Sequence, residues 1–385
     1  MAEWVERKIS DIGTVVGGAT PSTKKPENYE NGKIAWITPK DLSSFSGRYV
    51  EHGERNITEI GLKSCSTQLL PPNTVLFSSR APIGYVAIAA NEVCTNQGFK
   101  SVIPNENTDP LFLFYLLKYN KDKIEGMGSG TTFKEVSGNT MKNIVVNVPT
   151  DKKVQEKIAA ILGSIDDKIE ENEQINNNLE QQAQAIFKSW FIDFEPFSNR
   201  KPSEWSVSTL GNVSIMGAGG DKPQNVSPIK TDLYEYPIYS NGLSNEGLYG
   251  FTDKPKISEE SVTVSARGTI GFVCLRHIPY VPIVRLVTLI PKTEIISAKY
   301  LYLWLKQLHI TGTGTTQQQL TVPDFQKTEI LVPSQEIVTL FTATVEPIFE
   351  KIWANQNENE KLSSLRDTLL PKLMSSELDV SDIEL

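Results

Sequence analysis

Apolar residues recur at alternating spacings of three and four in two segments of the chain, residues 151–195 and 334–385. This spacing predicts a long helix with a heptad seam in each segment. The first seam is Ile158, Ile161, Ile165, Asn172, Ile175, Leu179 and Ile186, and the second is Val338, Phe341, Val345, Ile348, Ile352, Asn355, Asn359, Leu362, Leu365 and Leu369. A helix of roughly 35 residues is a rod about 50 Å long, which can hold two domains apart.

Both seams become polar at their middle, in ENEQINNN (residues 171–178) and NQNENE (residues 355–360). Buried asparagine on a heptad seam costs stability and fixes register, and simple solvation of these residues is an equal alternative. Gly163 and Pro347 occupy equivalent positions in the two segments. Proline inside a helix removes a hydrogen bond and clashes with the preceding turn, so we expect a break or kink at both positions.

Short β-rich runs punctuated by Pro, Gly and Asn fill the other two segments, residues 1–150 (domain 1) and 196–333 (domain 2). An aromatic-rich stretch in each domain, at residues 111–119 and 300–308, is the best helix candidate, and its aromatic side chains are predicted to lie in the core. The sequence therefore predicts a mixed α/β protein in which two globular α/β domains alternate with two helical segments.

The two domains repeat one design. The stretch GSGTTFKEVS at residues 128–137 returns as GTGTTQQQLT at residues 312–321, and SRAPIGYV at residues 79–86 returns as ARGTIGFV at residues 266–273. The order of these landmarks is kept while their spacing varies, as expected for homologous halves with insertions in surface loops. The chain is thus predicted to have a pseudo-two-fold internal repeat.

The net charge of −8 is unevenly distributed. Domain 1 has 16 Lys and Arg against 15 Asp and Glu, and domain 2 has 13 against 11, so they carry +1 and +2. The helical segments have 5 against 10 and 4 against 10, which gives −5 and −6. The acidity therefore belongs to the helices and does not argue against nucleic-acid binding by the domains.

Catalytic signatures are missing from the sequence. It contains no GxxxxGK[ST], no GxGxxG after a strand, no HExxH and no GxSxG. Residues 109–112, Asp-Pro-Leu-Phe, lack the second proline of the tetrapeptide that amino-methyltransferases use. Three cysteines and three histidines have no metal-ligand spacing, and Asp166 and Asp167 are expected on an exposed, solvated helical face. No catalytic residue, metal or cofactor is predicted, so the chain is not expected to be an enzyme alone.

No targeting or membrane segment is apparent. The start, MAEWVERK, lacks an apolar signal core, and no apolar run approaches the roughly 20 residues that a membrane helix needs. We therefore expect a cytoplasmic protein.

Polar loops in the two domains contain groups suited to DNA. Arg80 and Arg267 occupy matching places in the repeat, and arginine reads guanine and contacts phosphate; an internal salt bridge is an even alternative. The GSGTT and GTGTT loops offer backbone N–H groups and hydroxyls for phosphate, against a Gly/Thr turn without a ligand. The candidate DNA-binding residues are Thr38, Lys40, Arg80, Asn96, Gln97, Ser129, Thr131, Thr132, Lys134, Ser240, Asn241, Arg267, Arg285, Thr313, Thr315, Thr316, Gln317 and Gln318.

The two copies diverge directly after the shared GTT. Phe133, Lys134 and Glu135 stand where the second copy has glutamines at residues 317–319. Glutamine favours adenine edges, whereas lysine and glutamate favour guanine and cytosine. If these loops face bases, the two domains are predicted to read different sequences.

The first helical segment ends within KSWFIDFEP and the second contains LRDTLLPKL. With these motifs the chain resembles the specificity subunits of type I DNA restriction-modification enzymes over nearly its whole length. Residues 155–196, which include KSWFIDFEP, resemble the central conserved helix of that family, and residues 362–378, which include LRDTLLPKL, resemble its C-terminal helix. The openings of the two domains, WVERKISDIGTVVGGATP and WSVSTLGNVSIMGAGGDKP, resemble the start of the family's target-recognition domains.

The resemblance implies two target-recognition domains separated by two conserved helices that pack as an antiparallel coiled coil. It implies a non-catalytic subunit that binds double-stranded DNA, two methyltransferase subunits and, in the full enzyme, two motor-nuclease subunits. S-adenosylmethionine, ATP and Mg²⁺ would belong to those partners. The target is expected to be bipartite, with unlike half-sites about one DNA turn apart, and helix length is expected to set the spacer between them.

Partner subunits are expected to contact Trp190, Phe191 and Phe194 of KSWFIDF, for which burial against the chain's own domain 2 is the alternative. Two other functions remain possible from the sequence. A stand-alone methyltransferase would need the missing catalytic motifs, and a coiled-coil scaffold joining two ligand-binding lobes without DNA would suit the overall acidity.

Overall fold

The computed structural model of the chain describes residues 3–43, 45–130, 134–312, 319–381 and 383. The chain divides into two compact units. Unit 1 contains Met1–Glu173 and Gln356–Leu385, and unit 2 contains Gln174–Asn355. Each unit therefore holds one α/β domain and half of each of two long helices.

The described residues of unit 1 form ten strands in three sheets. Strands β1 to β10 are Trp4–Lys8, Gly13–Gly17, Ile34–Ile37, Tyr49–Val50, Arg55–Ile57, Val75–Ser79, Ile83–Ala89, Val93–Thr95, Lys100–Pro104 and Val145–Pro149. The sheets have the orders β2-β9-β6-β7-β4, β5-β3-β8 and β1-β10. In the three-stranded sheet β3 runs parallel to β8, so the chain leaves both strands at the same edge. Loops that follow these strands are thereby brought together.

Short helices connect the strands of domain 1. They are α1 to α6, at Ile9–Ile12, Pro39–Leu42, Glu59–Lys63, Pro110–Tyr119, Lys121–Gly126 and Gly138–Asn143. The predicted aromatic helix is α4, and its residues Phe112 to Leu117 are buried in the main core of the unit. The Asp109 carboxylate accepts a hydrogen bond from the Phe112 N–H and caps this helix, which starts with Pro110 at a position where proline is favoured.

Unit 2 repeats the design, with nine strands among its described residues. Strands β11 to β19 are Ser206–Thr209, Ser214–Ala218, Tyr236–Tyr239, Leu248–Thr252, Ser261–Val264, Val273–Arg276, Val281–Pro282, Val287–Pro291 and Glu329–Val332. The sheets have the orders β12-β18-β15-β16, β14-β13-β17 and β11-β19, and β13 again runs parallel to β17. Its short helices are α8 at Leu210–Val213, α9 at Ala298–Gln307 and α10 at Val322–Phe325. The internal repeat is therefore present in the strand pairing as well as in the sequence.

The two predicted rods are single helices of 40 residues each, α7 at Lys152–Phe191 and α11 at Gln335–Met374. The predicted break does not occur at Gly163 or Pro347, because both helices continue through these positions. A kink there stays a prediction. The Gly163 carbonyl accepts a hydrogen bond from the buried Arg48 guanidinium at 3.3 Å, and an added Cβ would lie 3.1 Å from Leu111. Glycine here permits close approach of domain 1 to α7.

Within each unit the halves of α7 and α11 run antiparallel. Residues further along α7 contact residues nearer the start of α11. In unit 1 Asp166 pairs with Arg366 and Asn172 with Asn359, and in unit 2 Asn176 pairs with Asn355. The buried apolar residues of these halves include Ile158, Leu162 and Ile165 in unit 1, where Leu162 is buried in place of the predicted Ile161, and Phe341, Val345 and Phe349 in unit 2. The predicted seam residue Leu365 is 47% exposed, because the neighbouring Arg366 turns inward to Asp166.

Two of the three predicted seam asparagines are buried and Asn359 is half-buried, which favours the register-fixing alternative for this layer. Asn172 and Asn355 are each 1% exposed. In unit 1 the Asn172 amide donates to Glu358 Oε2 and Asn359 Oδ1, both at 2.8 Å. In unit 2 the Asn355 amide donates to Asn176 Oδ1 at 2.8 Å. Because shifting either helix would separate these pairs, the polar layer favours one register.

Asp166 is buried, so the prediction that it lies on a solvated face was wrong. Its carboxylate accepts hydrogen bonds from Tyr115 Oη at 2.6 Å and from the Arg366 guanidinium at 2.7 Å. Arg48 supplies a second link, to Glu170 at 3.1 Å and to Asp167. Burial of a carboxylate is unfavourable unless charges and donors compensate it. These contacts fasten domain 1 to both helices of unit 1.

Unit 2 uses the same chemistry with different residues. Tyr302 Oη donates to Glu180 Oε1 at 2.6 Å, and Lys306 Nζ lies 3.0 Å from the same oxygen. Burial disfavours the charged form of Glu180, but hydrogen bonds from Tyr302 and the charge of Lys306 prevail and lower the pKa of this carboxyl. Lys299 adds ion pairs of 2.8 Å to Glu260 and 3.0 Å to Glu346. Helix α9 is thus tied to α7 and α11 by charge as well as by packing.

His277 gives unit 2 a predictable response to acid. Its ring stacks on Trp353 with centroids 4.1 Å apart, and burial together with the charges of Lys299 and Arg276 lowers the pKa of the imidazole to about 4. The unfolded chain, in which histidine has a pKa of about 6.5, binds this proton at higher pH. The contribution of His277 to the free energy of unfolding is therefore fully present above about pH 6.5, and it is lost as the pH falls toward 4.

We expect His277→Phe, which keeps a stacking ring but does not titrate, to reduce this acid sensitivity. Between pH 7 and pH 5 the variant should lose about 2 kcal/mol less stability than the wild-type chain. Urea denaturation at both pH values, followed by tryptophan fluorescence, measures the difference. Equal losses in the two proteins would show that His277 does not contribute.

Candidate nucleic-acid interface

In domain 1 the predicted DNA-binding residues converge at the edge where β3 and β8 end. The Ala19 N–H donates to the Thr95 carbonyl at 3.0 Å, and the Asn96 N–H donates to the Ile37 carbonyl at 3.0 Å. Gly18 permits the first contact, because an added Cβ would lie 2.2 Å from the Thr95 carbonyl oxygen. The loops after β2, β3 and β8 are therefore joined into one surface.

Arg80 joins this surface from the turn between β6 and β7. The Ser79 N–H donates to the Gly98 carbonyl at 2.7 Å, and the Val136 N–H donates to the Ser79 carbonyl at 2.9 Å. The Arg80 guanidinium lies 3.7 Å from Glu135, and both side chains remain well exposed. An exposed ion pair of this length contributes little to stability. The internal salt bridge considered from the sequence exists, and it leaves the guanidinium accessible.

Other predicted residues of domain 1 have structural contacts. Thr38 forms a capping box with Asp41, and the Asn96 side chain accepts a hydrogen bond from the Gly98 N–H at 2.8 Å. Gln97 is hydrogen-bonded to Thr20. Lys40 lies 2.6 Å from Glu54, which raises the pKa of the ammonium through a hydrogen bond and charge.

Ser129 and Lys134 flank the undescribed part of the GSGTT loop. Ser129 pairs with Glu135 through two backbone hydrogen bonds, and the Lys134 side chain is exposed. Base or phosphate contact by the predicted residues of domain 1 stays a prediction.

In domain 2 the corresponding loops meet in the same way. The Ile283 N–H donates to the Tyr239 carbonyl at 2.9 Å, as Asn96 does to Ile37 in domain 1. Asn241 connects two loops, since its amide donates to the Val284 carbonyl at 2.6 Å and accepts from the Ala266 N–H at 2.6 Å. Ser240 Oγ donates to the Gly247 carbonyl at 3.3 Å. These two predicted residues shape the surface, while the Arg285 side chain is exposed on it.

Arg267 is the structural counterpart of Arg80. The Leu320 N–H donates at 3.0 Å to the carbonyl of Ala266, the residue before Arg267, just as the Val136 N–H donates to Ser79, the residue before Arg80. The exposed Arg267 guanidinium donates to Gln319 Oε1 at 3.1 Å. Gln319 thus occupies the place of Glu135, so the two domains hold equivalent arginines with unlike partners.

Seven predicted residues lie outside the described residues of the two Gly/Thr loops. They are Thr131, Thr132, Thr313, Thr315, Thr316, Gln317 and Gln318. The sequence prediction omitted Glu135 and Gln319 as site residues, although the repeat already aligned them. Glu135 and Gln319 are identified as site residues by their contacts with Arg80 and Arg267, and the sequence alone does not reveal these contacts.

The aromatic residues predicted to contact a partner mainly serve the chain's own core. Phe191 is 1% exposed, with its ring centroid 4.9 Å from those of Tyr300 and Phe341. Trp190 and Phe194 are partly buried against Phe341 and Trp205. The expected partner contact was therefore wrong for Phe191, whose side chain is enclosed by domain 2 and α11.

The described residues do not form a cluster of metal-ligating side chains. Among them no group of three or more His, Cys, Asp or Glu side chains is placed to hold a metal ion. All three cysteines are free, and burial raises the pKa of the Cys94 thiol to about 11. Across the described ranges, no helix is both long and apolar enough to cross a membrane.

Comparison with known proteins identifies the family. The family model described as type I restriction modification DNA specificity domain matches residues 1–181 and again residues 202–363. The chain belongs to this type I restriction-modification DNA specificity family. The two matches coincide with the two copies of the repeat, each with its domain and the first part of the following helix. A role in DNA recognition follows from this membership.

Named relatives agree with the assignment. The type I restriction enzyme MjaIX specificity subunit of Methanocaldococcus jannaschii is 35% identical over 99% of this chain and 95% of its own length. The HindI specificity subunit of Haemophilus influenzae is 29% identical over 98% of this chain and 100% of its own length. A crystal structure of the type I system S subunit from M. genitalium has a TM-score of 0.60 and 18% identity, and covers 97% of this chain and 96% of that one. That likeness supports the fold.

Proposed function

We propose that this family member reads a bipartite, asymmetric DNA target, with one half-site for each domain. The observation that carries the proposal is the matched pair of surfaces on which Arg80 and Arg267 occupy equivalent positions with unlike partners, Glu135 and Gln319. Because the two arginines occupy equivalent positions, we expect the two domains to contact DNA with the same surface. A guanidinium beside a carboxylate and one beside a neutral amide present different donors and acceptors to base edges, which suits two different half-sites.

The chain acts as the non-catalytic part of a larger complex. In this proposal two methyltransferase subunits bind it and modify adenine, and two motor-nuclease subunits join them for restriction. S-adenosylmethionine, ATP and Mg²⁺ belong to those partners. The methyltransferases receive an adenine that has left the base stack, as chemistry on a base requires. The specificity-subunit names of the relatives support this division of work.

Methylome sequencing of a modification-free host tests the proposal. The host expresses this chain with its candidate methyltransferase, and then with Arg80→Ala or Arg267→Ala. We expect the wild-type chain to give a bipartite adenine mark. Each variant should relax a different half, because loss of a bidentate base contact removes about 1–3 kcal/mol of discrimination.

Arg200→Ala serves as the control, because Arg200 is an exposed arginine that lies outside both surfaces. It should leave the mark unchanged. If both Arg80→Ala and Arg267→Ala relaxed the same half, the assignment of one half-site to each domain would be wrong. If a complex formed but left no mark, the scaffold function would be favoured.

The spacer offers a separate test. The proposal that α7 and α11 set the spacer is supported by their continuity from one unit into the other. Inserting one heptad after Glu173 in α7 and another after Asn355 in α11 keeps the seam and adds about 10 Å. The methylated sequence should then have a spacer longer by about three base pairs, at about 3.4 Å per pair. An unchanged spacer would exclude the helices as the ruler.

A further inference from the structure

Two consecutive residues of domain 2, Val284 and Arg285, have a left-handed backbone. Their φ angles are 53° and 61°. Residues with a Cβ rarely adopt this conformation, and for a β-branched residue it is an outlier. Val284 is also 50% exposed, so burial of its apolar side chain does not compensate for the strain. The conformation therefore calls for another explanation.

The surrounding backbone holds this loop firmly. The Val284 and Arg285 N–H groups donate to the carbonyls of Gly220 and Gly219, both at 2.8 Å. The Val284 carbonyl accepts from the Asn241 amide at 2.6 Å. Gly219 makes the approach possible, because an added Cβ would lie 2.7 Å from the Ile283 backbone. Strained conformations that the structure over-determines in this way concentrate at binding sites.

Domain 1 shows what the loop looks like without the strain. The bond from the Leu286 N–H to the Ile283 carbonyl matches the bond from Phe99 to Asn96, so Gln97 corresponds to Val284. In domain 1 Gln97 is hydrogen-bonded to Thr20 and does not have a positive φ. The left-handed pair is therefore particular to the surface of domain 2 and is not required by the repeated fold.

We infer that Val284 is a specificity-determining residue, which contacts the 5-methyl group of a thymine in the half-site read by domain 2. This inference rests on the proposed function. Arg285 is the next residue, and Asn241 bonds both the Val284 carbonyl and the N–H of Ala266, the residue before Arg267; both arginines are exposed. Thymine methyl is the apolar group that the base edges of the major groove present. An exposed valine beside an exposed arginine can therefore contact a thymine methyl group and a neighbouring polar base edge together.

The experiment removes the methyl group from the DNA. After methylome sequencing has given the target, each thymine of the half-site that Arg267→Ala relaxes is replaced in turn by deoxyuridine. The wild-type complex with its methyltransferase should bind one of these duplexes about fourfold more weakly, the factor that burial of one methyl group is worth. Val284→Gly, which has no apolar side chain to contact the methyl group, should bind the two forms of that duplex equally.

Stability separates this role from a structural one. Glycine adopts positive φ without strain, so Val284→Gly should keep or raise the melting temperature while it loses the methyl preference. Val207→Ala is the matched control, because Val207 is exposed on β11 outside the DNA surface, and it should retain the preference.

Three results would overturn the inference while leaving the proposed function intact. In the first, the half-site read by domain 2 contains no thymine. In the second, the wild-type complex binds every deoxyuridine duplex as tightly as the thymine duplex. In the third, Val284→Gly still binds the thymine form more tightly. A wild-type complex that leaves no bipartite mark would instead overturn the proposed function, and the inference with it.

Discussion

Replacing Phe191 by alanine should destabilise unit 2 by about 4 kcal/mol, within the range for deleting a buried phenylalanine side chain. Phe191 lies in the last turn of α7, where its ring packs against Trp205 of domain 2 and Phe341 of α11. The cavity would therefore open where domain 2 and both long helices share one core. Because Trp190, Trp205, Trp304 and Trp353 all belong to unit 2, tryptophan fluorescence during urea denaturation reports mainly on this unit.

Ile192→Ala is the matched control for this prediction. Ile192 is the next residue and is 42% exposed, so its truncation should change stability by less than about 0.5 kcal/mol. Hydrogen exchange in α4, which lies in unit 1, should be unchanged by either variant. A loss below about 1 kcal/mol for Phe191→Ala would contradict its burial and return it to the partner contact expected from the sequence.

Much of the fold was predictable because its signals are local and repeated. The heptad spacing predicted helices close to the observed Lys152–Phe191 and Gln335–Met374, and the aromatic runs predicted α4 and α9. The errors at Gly163 and Asp166 share one physical cause. Each residue was judged by its intrinsic preference, whereas Arg48 approaches the first and Arg366 with Tyr115 compensates the second. Such contacts join residues more than 50 positions apart and leave no periodic trace.

The candidate site was predictable in its location more than in its details. Matching the two copies placed Arg80 and Arg267 at equivalent positions, and the structure brings both to loop surfaces of the same construction. The sequence did not separate side chains that shape the loops, such as Asn241, from those left exposed, such as Arg285. That distinction depends on which backbone groups lie within hydrogen-bonding distance. The strain at Val284 is likewise a property of the folded loop alone.

The second large effect is expected from Arg366→Met, which should destabilise unit 1 by about 3 kcal/mol or more. The variant leaves the Asp166 carboxylate buried with Tyr115 as a donor but without the cation 2.7 Å away, and breaking a buried ion pair on one side costs about 3–5 kcal/mol. Hydrogen exchange in α4 measures the loss in unit 1. Adding Asp166→Asn should restore part of it, because a neutral amide still accepts from Tyr115 and needs no counter-charge.

Lys168→Met provides the comparison within the same helix. Lys168 forms an exposed ion pair of 2.8 Å with Glu171, and such pairs contribute about 0 to 1 kcal/mol. The 184-residue offset places Glu350 and Gln182, both exposed, at the positions of Asp166 and Arg366, so the buried pair has no copy in unit 2. Arg366→Met should therefore leave the fluorescence-detected unfolding of unit 2 unchanged. If the double variant were no more stable than Arg366→Met, the uncompensated charge of Asp166 would not be the cause of the loss.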